Sequence, residues 1–314
     1  MNQYPLDQMS PRRSSASEAG GDAIPCAVCG SPMRRERRPW QHRCTTCGLR
    51  TATLARSIEG NGEDSKIDED VREHALEPLR RANFERELDA IAAFGDLRGI
   101  ELLDVGCAHG WFLDAASRRG CITSGIEPDA GMYGFASRSG HRVSKGFFPE
   151  GLAPGTTYDV ITFNDVFEHL PDVNAALEAC RERLRQGGIL VLNLPDSRGT
   201  VFRTASLLDR IGLHGPLDRL WQKEFPSPHL YYFNPDSLAA LARRHGFREV
   251  HRGELATIEL RGLWQRLRYD RTASLLAAVV SWVAVTLALP VLRLLTSDIS
   301  LQVFSYEPPR AADT

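Results

Sequence analysis

The sequence predicts an α/β protein with a doubly wound, mostly parallel sheet of seven strands. A small cysteine-rich module precedes the sheet, and an apolar helical insertion precedes its last strand. From residue 76 onward, apolar runs alternate with segments of helical periodicity, which is the pattern of strands joined by crossover helices. Two close pairs of cysteines come before this region, and an uncharged stretch over residues 272–292 comes near its end.

Composition limits the protein to one large core and a modest appendage. The chain has 314 residues, of which 42% are hydrophobic and 25% charged, and its formal net charge is −2. A charge so close to neutral gives no general argument for binding nucleic acid. Residues 1–23 contain no continuous apolar segment, so we interpret them as a disordered tail and not as a secretory signal. We therefore expect a cytoplasmic protein.

The cysteine pairs predict a zinc ribbon over residues 24–52. Cys26 and Cys29 form one C-x-x-C turn and Cys44 and Cys47 the other, with fourteen residues between the turns. This spacing is typical of a structural four-cysteine zinc site. Two disulfides are the alternative, but the absence of an export signal favours zinc. Four protein ligands leave no open position on the ion, so it would stabilise the module and take no part in chemistry.

Between the cysteine pairs, basic residues are interleaved with Trp40 and His42. Such a segment either grips phosphates and stacks bases or forms a solvated hairpin that keeps a small module soluble, and we favour the hairpin. Residues 53–75 are acidic and contain glycine, which predicts a linker. The arginines of the basic segment are Arg34, Arg35, Arg37, Arg38 and Arg43.

After the linker, one amphipathic helix leads into the alternating region. Its apolar residues recur at helical spacing and it ends near Gly95. In a parallel sheet covered by helices, ligands bind at the carboxyl ends of the strands. The apolar residues of the first helix are Leu79, Phe84, Leu88, Ile91 and Phe94. The strands are predicted over 101–105, 121–128, 158–165 and 188–195, and the helices between them over 110–119, 129–138 and 172–185.

The turn after the first of these strands is suited to a nucleotide. It reads Gly106-x-Ala108-x-Gly110 and lacks the G-x-G-x-x-G spacing of dinucleotide-binding turns. Glu127 ends the next strand, and a carboxylate there accepts hydrogen bonds from two ribose hydroxyls well. Taken alone, that acid would equally suit the ribose of NAD.

Four segments together resemble the class I S-adenosylmethionine-dependent methyltransferases, in the group that includes ubiquinone-biosynthesis and sugar methyltransferases. They read "LLDVGCAHGWFLDAASRRG", "SGIEPD", "YDVITFNDVFEHL" and "LRQGGILVLNLP". The resemblance covers residues 76–308 and implies a Rossmann-like methyltransferase domain, with a substrate loop region over 196–228 and a short tail over 309–314. It also implies in-line transfer of a methyl group to a small-molecule, saccharide or lipid-like acceptor.

The resemblance assigns the cofactor-binding residues. The glycine turn would lie under the methionine and ribose of S-adenosylmethionine, Glu127 would bind the ribose, and the end of the fourth strand would face the transferring methyl. Phe147 or Phe148 would supply an apolar wall for adenine, with Glu150 nearby. The assigned residues are Asp104, Gly106, Ala108, Gly110, Glu127, Phe148, Asn164 and Asp165.

Two histidines are candidates for a catalytic base, which a hydroxyl acceptor would need. His169 belongs to a D-x-x-E-H pattern formed with Asp165 and Glu168, and His229 lies in the aromatic segment "PSPHLYYF". Relatives with a similar pattern bind a divalent cation, so a cation at Asp165, Glu168 and His169 is one interpretation. The other, which we favour, is that these residues order the turn before Pro171.

The uncharged stretch over residues 272–292 is flanked by Arg271 and Arg293. As a helix it would be about 30 Å long, which matches the thickness of a bilayer. Residues 299–304 then alternate in hydropathy, and the resemblance makes them the last, antiparallel strand of the sheet. We therefore expect a helical insertion over 272–295 that packs on the domain or enters the membrane interface. A single membrane span is the alternative.

The leading hypothesis is a cytoplasmic methyltransferase that contacts the inner face of the membrane peripherally. Two alternatives stay open. Some RNA methyltransferases also join a cysteine zinc module to this fold, so the acceptor could be a ribosomal RNA base; the arginine-rich segment supports this reading and the near-neutral charge opposes it. The protein could also be a non-catalytic module that binds the cofactor or a partner.

Overall fold

The computed structural model describes residues 24–55, 69–257, 263–264, 275–292 and 295–307. The predicted tails, over 1–23 and 309–314, and most of the predicted linker lie outside these residues. The last part of the linker is helical, because the first helix begins at Glu69.

Eleven strands and eight helices are assigned within the described residues. The strands are β1 (Arg34–Arg35), β2 (Gln41–Arg43), β3 (Arg50–Ala52), β4 (Glu101–Val105), β5 (Ile122–Glu127), β6 (Val143–Lys145), β7 (Tyr158–Asn164), β8 (Leu184–Pro195), β9 (Tyr231–Tyr232), β10 (Phe247–Leu255) and β11 (Ile299–Tyr306). The helices are α1 (Glu69–Ala92), α2 (Trp111–Arg118), α3 (Ala130–Arg138), α4 (Val173–Arg183), α5 (Thr200–Arg210), α6 (Gly215–Leu220), α7 (Pro235–Arg244) and α8 (Leu275–Leu292), and a 3₁₀ turn spans Phe167–His169.

The central sheet has seven strands in the order β10-β11-β8-β7-β4-β5-β6. Strands β4 to β8 pair in parallel, whereas β11 runs antiparallel to both of its neighbours. Continuous buried runs such as "VITF" in β7 explain this, since a strand covered on both faces contains apolar residues in succession. The predicted fold class is confirmed, including the antiparallel last strand.

The cysteine module is joined to the central domain by a second, four-stranded sheet. Its order is β1-β2-β3-β9, so the fourth strand comes from the main domain. Buried module residues such as Val28 and Leu49 belong to the same hydrophobic cluster as Leu103 of the central sheet. The module and the central domain therefore share one core.

Some element boundaries differ from the prediction. Helix α4 ends at Arg183 and β8 follows without a loop, so the predicted helix was too long. Phe94 lies beyond the end of α1 and is 45% exposed, unlike the other four apolar residues predicted for that helix. The predicted substrate loop region contains α5 and α6.

Helix α8 is the predicted apolar insertion, and β11 follows it back into the sheet. Several of its large side chains are exposed, including Leu276 at 74% and Leu287 at 76%. None of the helices in the described part of the chain has the length and hydropathy needed to cross a membrane.

Candidate active site

The glycine turn lies between β4 and α2 and repeatedly takes up left-handed backbone. The φ angles are +70° at Gly106, +44° at Ala108 and +77° at Gly110. A Cβ atom on Gly106 would lie 2.6 Å from Cγ2 of Val166, so glycine is needed there. Ala108 adopts a conformation that is costly for a residue with a side chain. The chain thus keeps a compact turn at the carboxyl end of β4.

Glu127 ends β5 and reaches this turn. One of its carboxylate oxygens accepts a hydrogen bond from the backbone N–H of Ala108, and the other from that of Asp129, both at 2.9 Å. Burial raises the pKa of Glu127 despite these bonds. Each oxygen keeps a second lone pair for a ligand. The structure thus brings together the turn and the acid that the sequence assigned to one site, and ribose binding remains a prediction.

A buried row of polar side chains crosses the carboxyl ends of three neighbouring strands. Asp104 accepts hydrogen bonds from Thr162 Oγ1 at 2.8 Å and from Asn164 Nδ2 at 3.2 Å. Asn164 in turn accepts one from Asn193 Nδ2 at 3.1 Å. Burial raises the pKa of Asp104 to about 7, although its two donors act in the opposite direction. The predicted residues Asp104 and Asn164 are therefore directly linked.

Glu87, on α1, is a buried acid that the sequence analysis missed. Its side chain is fully buried, and within the described part of the chain the nearby amides of Asn193 and Asn164 favour its charged form without making a hydrogen bond of standard geometry. Burial raises its pKa well above the usual value, and the charge of Asp104 adds to this. The burial of Glu87 could have been predicted from the sequence, because Glu87 falls on the same helical face as Phe84, Leu88 and Ile91.

Asp165 does not join the predicted cation set. Its backbone is left-handed, with φ +54°, and its N–H donates to the carbonyl of Asn193 at 3.0 Å. The carboxylate lies 3.4 Å from Arg80 Nη2. The structure therefore places Asp165 in an ion pair with Arg80 at the end of β7.

Three other groups do come together. Donor atoms of Glu168, His169 and His229 lie within 4.8 Å of one another, and Glu168 Oε1 is 3.9 Å from Nε2 of each histidine. Glu168 is fully buried, and among the described residues its oxygens and His229 Nδ1 have no hydrogen-bond partner. Burial raises the pKa of Glu168 well above its usual value and lowers that of His229 well below it. A carboxylate and two imidazoles in this arrangement fit a divalent cation.

The backbone around His229 is fixed on several sides. The N–H of His229 donates to the carbonyl of Trp221 at 3.1 Å, and the N–H of Leu230 donates to the carbonyl of Glu168 at 2.9 Å. His169 Nδ1 lies 3.0 Å from the carbonyl oxygen of Pro228. Since a carbonyl can only accept, Nδ1 carries the proton and Nε2 is the ring nitrogen that faces Glu168. The ring of His229 also packs 5.4 Å from that of Tyr232.

The proposed adenine wall is only partly formed. Phe148 packs edge-on against Phe163 with the ring centroids 5.6 Å apart, whereas Phe147 is 54% exposed. Phe148 is therefore the aromatic residue held close to the sheet, and its contact with adenine remains a prediction.

The four cysteines of the ribbon converge. Their sulfur atoms all lie within 4.8 Å of one another, with Cys26 and Cys47 at 3.5 Å and Cys29 and Cys44 at 3.5 Å. A tetrahedral zinc ion with bonds of about 2.3 Å separates its sulfur ligands by about 3.8 Å. All seven cysteines are free thiols. The donor set therefore fits zinc and contains no disulfide.

Part of the basic segment is engaged within the chain. Arg38 forms an ion pair with Asp218 at 2.8 Å, and the side chain of Arg37 donates to the carbonyl of Arg210 at 2.6 Å. These contacts attach the ribbon to α5 and α6. They leave fewer arginines for nucleic acid than the sequence suggests.

The family of the chain follows from comparison with known proteins. Residues 73–252, more than half of the chain, match the family described as "Methyltransferase domain". The chain belongs to this family. The resemblance to S-adenosylmethionine-dependent methyltransferases noted in the sequence is thereby confirmed.

Individual relatives agree with this assignment. A ubiquinone biosynthesis O-methyltransferase from Cereibacter sphaeroides is 29% identical over 227 residues, which are 66% of this chain and 86% of that protein. One from Xanthomonas oryzae is 32% identical over 142 residues, 42% of this chain and 55% of that protein. The chain therefore spans about half the length of the latter relative. A SAM-dependent methyltransferase from Thermotoga maritima has a TM-score of 0.50 at 14% identity, covering 76% of this chain and 95% of that one, which supports the fold.

Glu87 gives this methyltransferase domain a testable pH dependence. Because its pKa is higher in the folded than in the unfolded state, folding takes up a proton, and the free energy of unfolding falls as the pH rises above about 4.3. We expect Glu87→Gln to reduce this loss between pH 5 and pH 8, by about 1.4 kcal/mol for each unit of pKa shift within that range. Urea unfolding at the two pH values measures the effect. The exposed Glu178→Gln serves as control, and equal losses in the wild type and Glu87→Gln would contradict the assignment.

Proposed function

We propose that the protein transfers a methyl group from S-adenosylmethionine to a hydroxyl of a small, lipid-like acceptor. Two observations carry this: the glycine turn after β4 is bound to Glu127, and the buried cluster of Glu168, His169 and His229 includes the 3₁₀ turn that follows the neighbouring strand β7. The family match and the relatives named ubiquinone biosynthesis O-methyltransferase support it.

The residues of the site fit a nucleoside with a cationic sulfur. When bound, S-adenosylmethionine supplies a methyl group on its sulfonium. Gly106 and Gly110 hold the turn in a compact left-handed conformation, and Glu127 offers paired oxygens to ribose hydroxyls. Asp104 and Asn164 border the same edge of the sheet. The chain thus mainly orients the two reactants and excludes water.

His229 is the better placed of the two candidate bases. Burial holds the pKa of His229 well below the usual value, so the ring is neutral near pH 7. Its Nδ1 atom has no hydrogen-bond partner among the described residues. In His169, by contrast, Nδ1 is hydrogen-bonded to the carbonyl of Pro228, and Nε2 is the ring nitrogen on the side of Glu168. We propose that His229 accepts the proton of the acceptor hydroxyl.

As an alternative to proton transfer by His229, we propose that Glu168, His169 and His229 hold a divalent cation, in which case His229 keeps its proton on Nδ1 and is not the base. Their donor atoms converge and the carboxylate is otherwise without a hydrogen-bond partner in the part of the chain that the structure describes. A cation there would lower the pKa of a bound hydroxyl, which is the chemistry such an ion supplies. This set differs from the alternative cation set considered in the sequence, since Asp165 pairs with Arg80.

The cofactor site is tested by Glu127→Ala. We expect at least a hundredfold loss of affinity for S-adenosylmethionine in calorimetry, because the bidentate acceptor for ribose is removed. The fold should be retained, and Glu178→Ala, on an exposed position of α4, should bind normally. Unchanged affinity would mean that Glu127 is not the ribose ligand.

The reaction itself is tested with labelled S-adenosylmethionine and three acceptor classes: prenylated catechols, nucleotide-linked sugars and bulk ribosomal RNA. We expect label in the catechol. Label in RNA, with binding that falls steeply with salt, would favour the RNA alternative, and absence of label in all three would leave a binding module.

The cation site is tested with Mn²⁺ as the probe. We expect Glu168→Gln and His229→Ala to weaken Mn²⁺ binding at least tenfold in electron paramagnetic resonance titrations, and Asp165→Asn to leave it unchanged. If Asp165→Asn removed the binding instead, the alternative set of Asp165, Glu168 and His169 would be correct.

We propose that the four cysteines hold one structural zinc ion per chain, which their convergence supports. Metal analysis of the purified protein is expected to give a ratio close to one, and Cys26→Ser should lose the metal and destabilise the ribbon. The buried Cys180→Ser leaves all four ligands in place and serves as control. A metal content unaffected by Cys26→Ser would refute the site.

We propose peripheral contact with the inner, cytoplasmic face of a membrane through α8. The helix carries no charge, and arginines flank it in the sequence, which suits an anionic interface. We expect binding to phosphatidylglycerol vesicles in flotation assays, reduced at least fivefold by Leu287→Glu. Ala175→Glu, which adds the same charge to α4, should bind like the wild type, and equal binding by all three proteins would exclude α8.

A further inference from the structure

We infer that the ribbon is a positioning element of the acceptor site, in which Trp40 and Arg38 hold Trp221 and α6 and thereby fix His229. The inference rests on the proposed function, because it gives the ribbon a role in that reaction. The ribbon would then act on the acceptor and not on the methyl donor.

The first line of evidence is strand pairing. Strand β3 of the ribbon pairs antiparallel with β9, which starts two residues after His229. The N–H of Ala52 also donates to the carbonyl of Leu230 at 2.9 Å. Since the N–H of Leu230 is bound to Glu168, the residue after His229 is held between the ribbon and the 3₁₀ turn.

The second line is aromatic packing. Trp40 meets Trp221 edge-on with the ring centroids 5.6 Å apart, and Trp221 meets Tyr232 at 4.8 Å. Trp221 is fully buried, and its indole N–H has no hydrogen-bond partner among the described residues. Packing therefore determines where this ring lies. The carbonyl of Trp221 accepts the hydrogen bond from the N–H of His229, so a shift of Trp221 moves the backbone of the candidate base.

The third line is an ion pair. Arg38 Nη2 lies 2.8 Å from both carboxylate oxygens of Asp218 on α6, and the two side chains are 17% and 25% exposed. A charged pair that is shielded from water to this degree orients its partners more firmly than a surface pair does. It attaches the ribbon to the helix that immediately precedes Trp221.

Together these contacts form a path from the ribbon to His229 that avoids the glycine turn. None of the contacts in the path involves Gly106, Glu127 or Asp104. A change in the path should therefore alter how the acceptor is handled and leave the binding of S-adenosylmethionine as it is.

The test is Trp40→Ala in the full-length, zinc-loaded chain. We expect kcat/KM for a prenylated catechol to fall at least tenfold, with a fall in kcat because the base is displaced, while S-adenosylmethionine affinity stays within twofold of the wild type and zinc content is unchanged. Trp40→Phe should restore kcat/KM to within threefold, since it keeps the aromatic contact. Arg35→Ala, on an exposed position of the ribbon, should behave like the wild type.

Hydrogen exchange supplies a readout that does not depend on turnover. In Trp40→Ala, the peptide over residues 221–232 should exchange at least tenfold faster, while the peptide over 101–105 in the central sheet keeps its rate. If Trp40→Ala fails to fold, Arg38→Ala tests the same path. Unchanged exchange over 221–232 in the folded variant would overturn the inference. Absence of methyl transfer by the wild type would refute the proposed function, whatever the exchange rates are.

Discussion

The pairing of β3 with β9 is the contact on which the site depends. Only two residue pairs form this ladder, yet it joins a chain segment near residue 50 to one near residue 231. It sets the course of the backbone from Pro228 to Tyr232, which carries His229 and binds the 3₁₀ turn through Leu230. A two-residue strand has little stability alone, so the ribbon that presents β3 must itself be rigid. The zinc ion proposed for the four cysteines would supply that rigidity in a module too small for a core of its own.

The central sheet and the positions of the candidate cofactor residues were predictable from the sequence because their signals are local. Buried parallel strands appear as apolar runs, and a parallel sheet places Gly106, Glu127 and Asn164 at one edge wherever the helices lie. Asp165 ends β7 as predicted, but the less favoured interpretation that it shares a cation with Glu168 and His169 does not match the structure, for a local reason. The spacing of D-x-x-E-H assumes continuous helix from Asp165, but the 3₁₀ turn begins at Phe167 and the left-handed backbone at Asp165 directs its carboxylate to Arg80.

The docking of the ribbon and the position of His229 beside Glu168 could not be predicted in the same way. The contact between Arg38 and Asp218 joins residues 180 positions apart, and no periodicity links them. Glu87 is an intermediate case. Its place on the buried face of α1 could be predicted from helical spacing. Its neighbours Asn164 and Asn193 could not, because they come from strands that meet the helix only in the tertiary structure.

The interior of the site contains more carboxyl groups than basic side chains. Glu87, Asp104 and Glu168 are buried, and burial raises the pKa of each. Arg80, which lowers the pKa of Glu168, is already paired with Asp165. In a region of low dielectric, a ligand with positive charge gains more from such groups than it would in water. The same carboxyls cost stability when ionised without a cation, so selection for folding alone would remove them. Their presence is best explained by ligands that bring positive charge to this edge of the sheet.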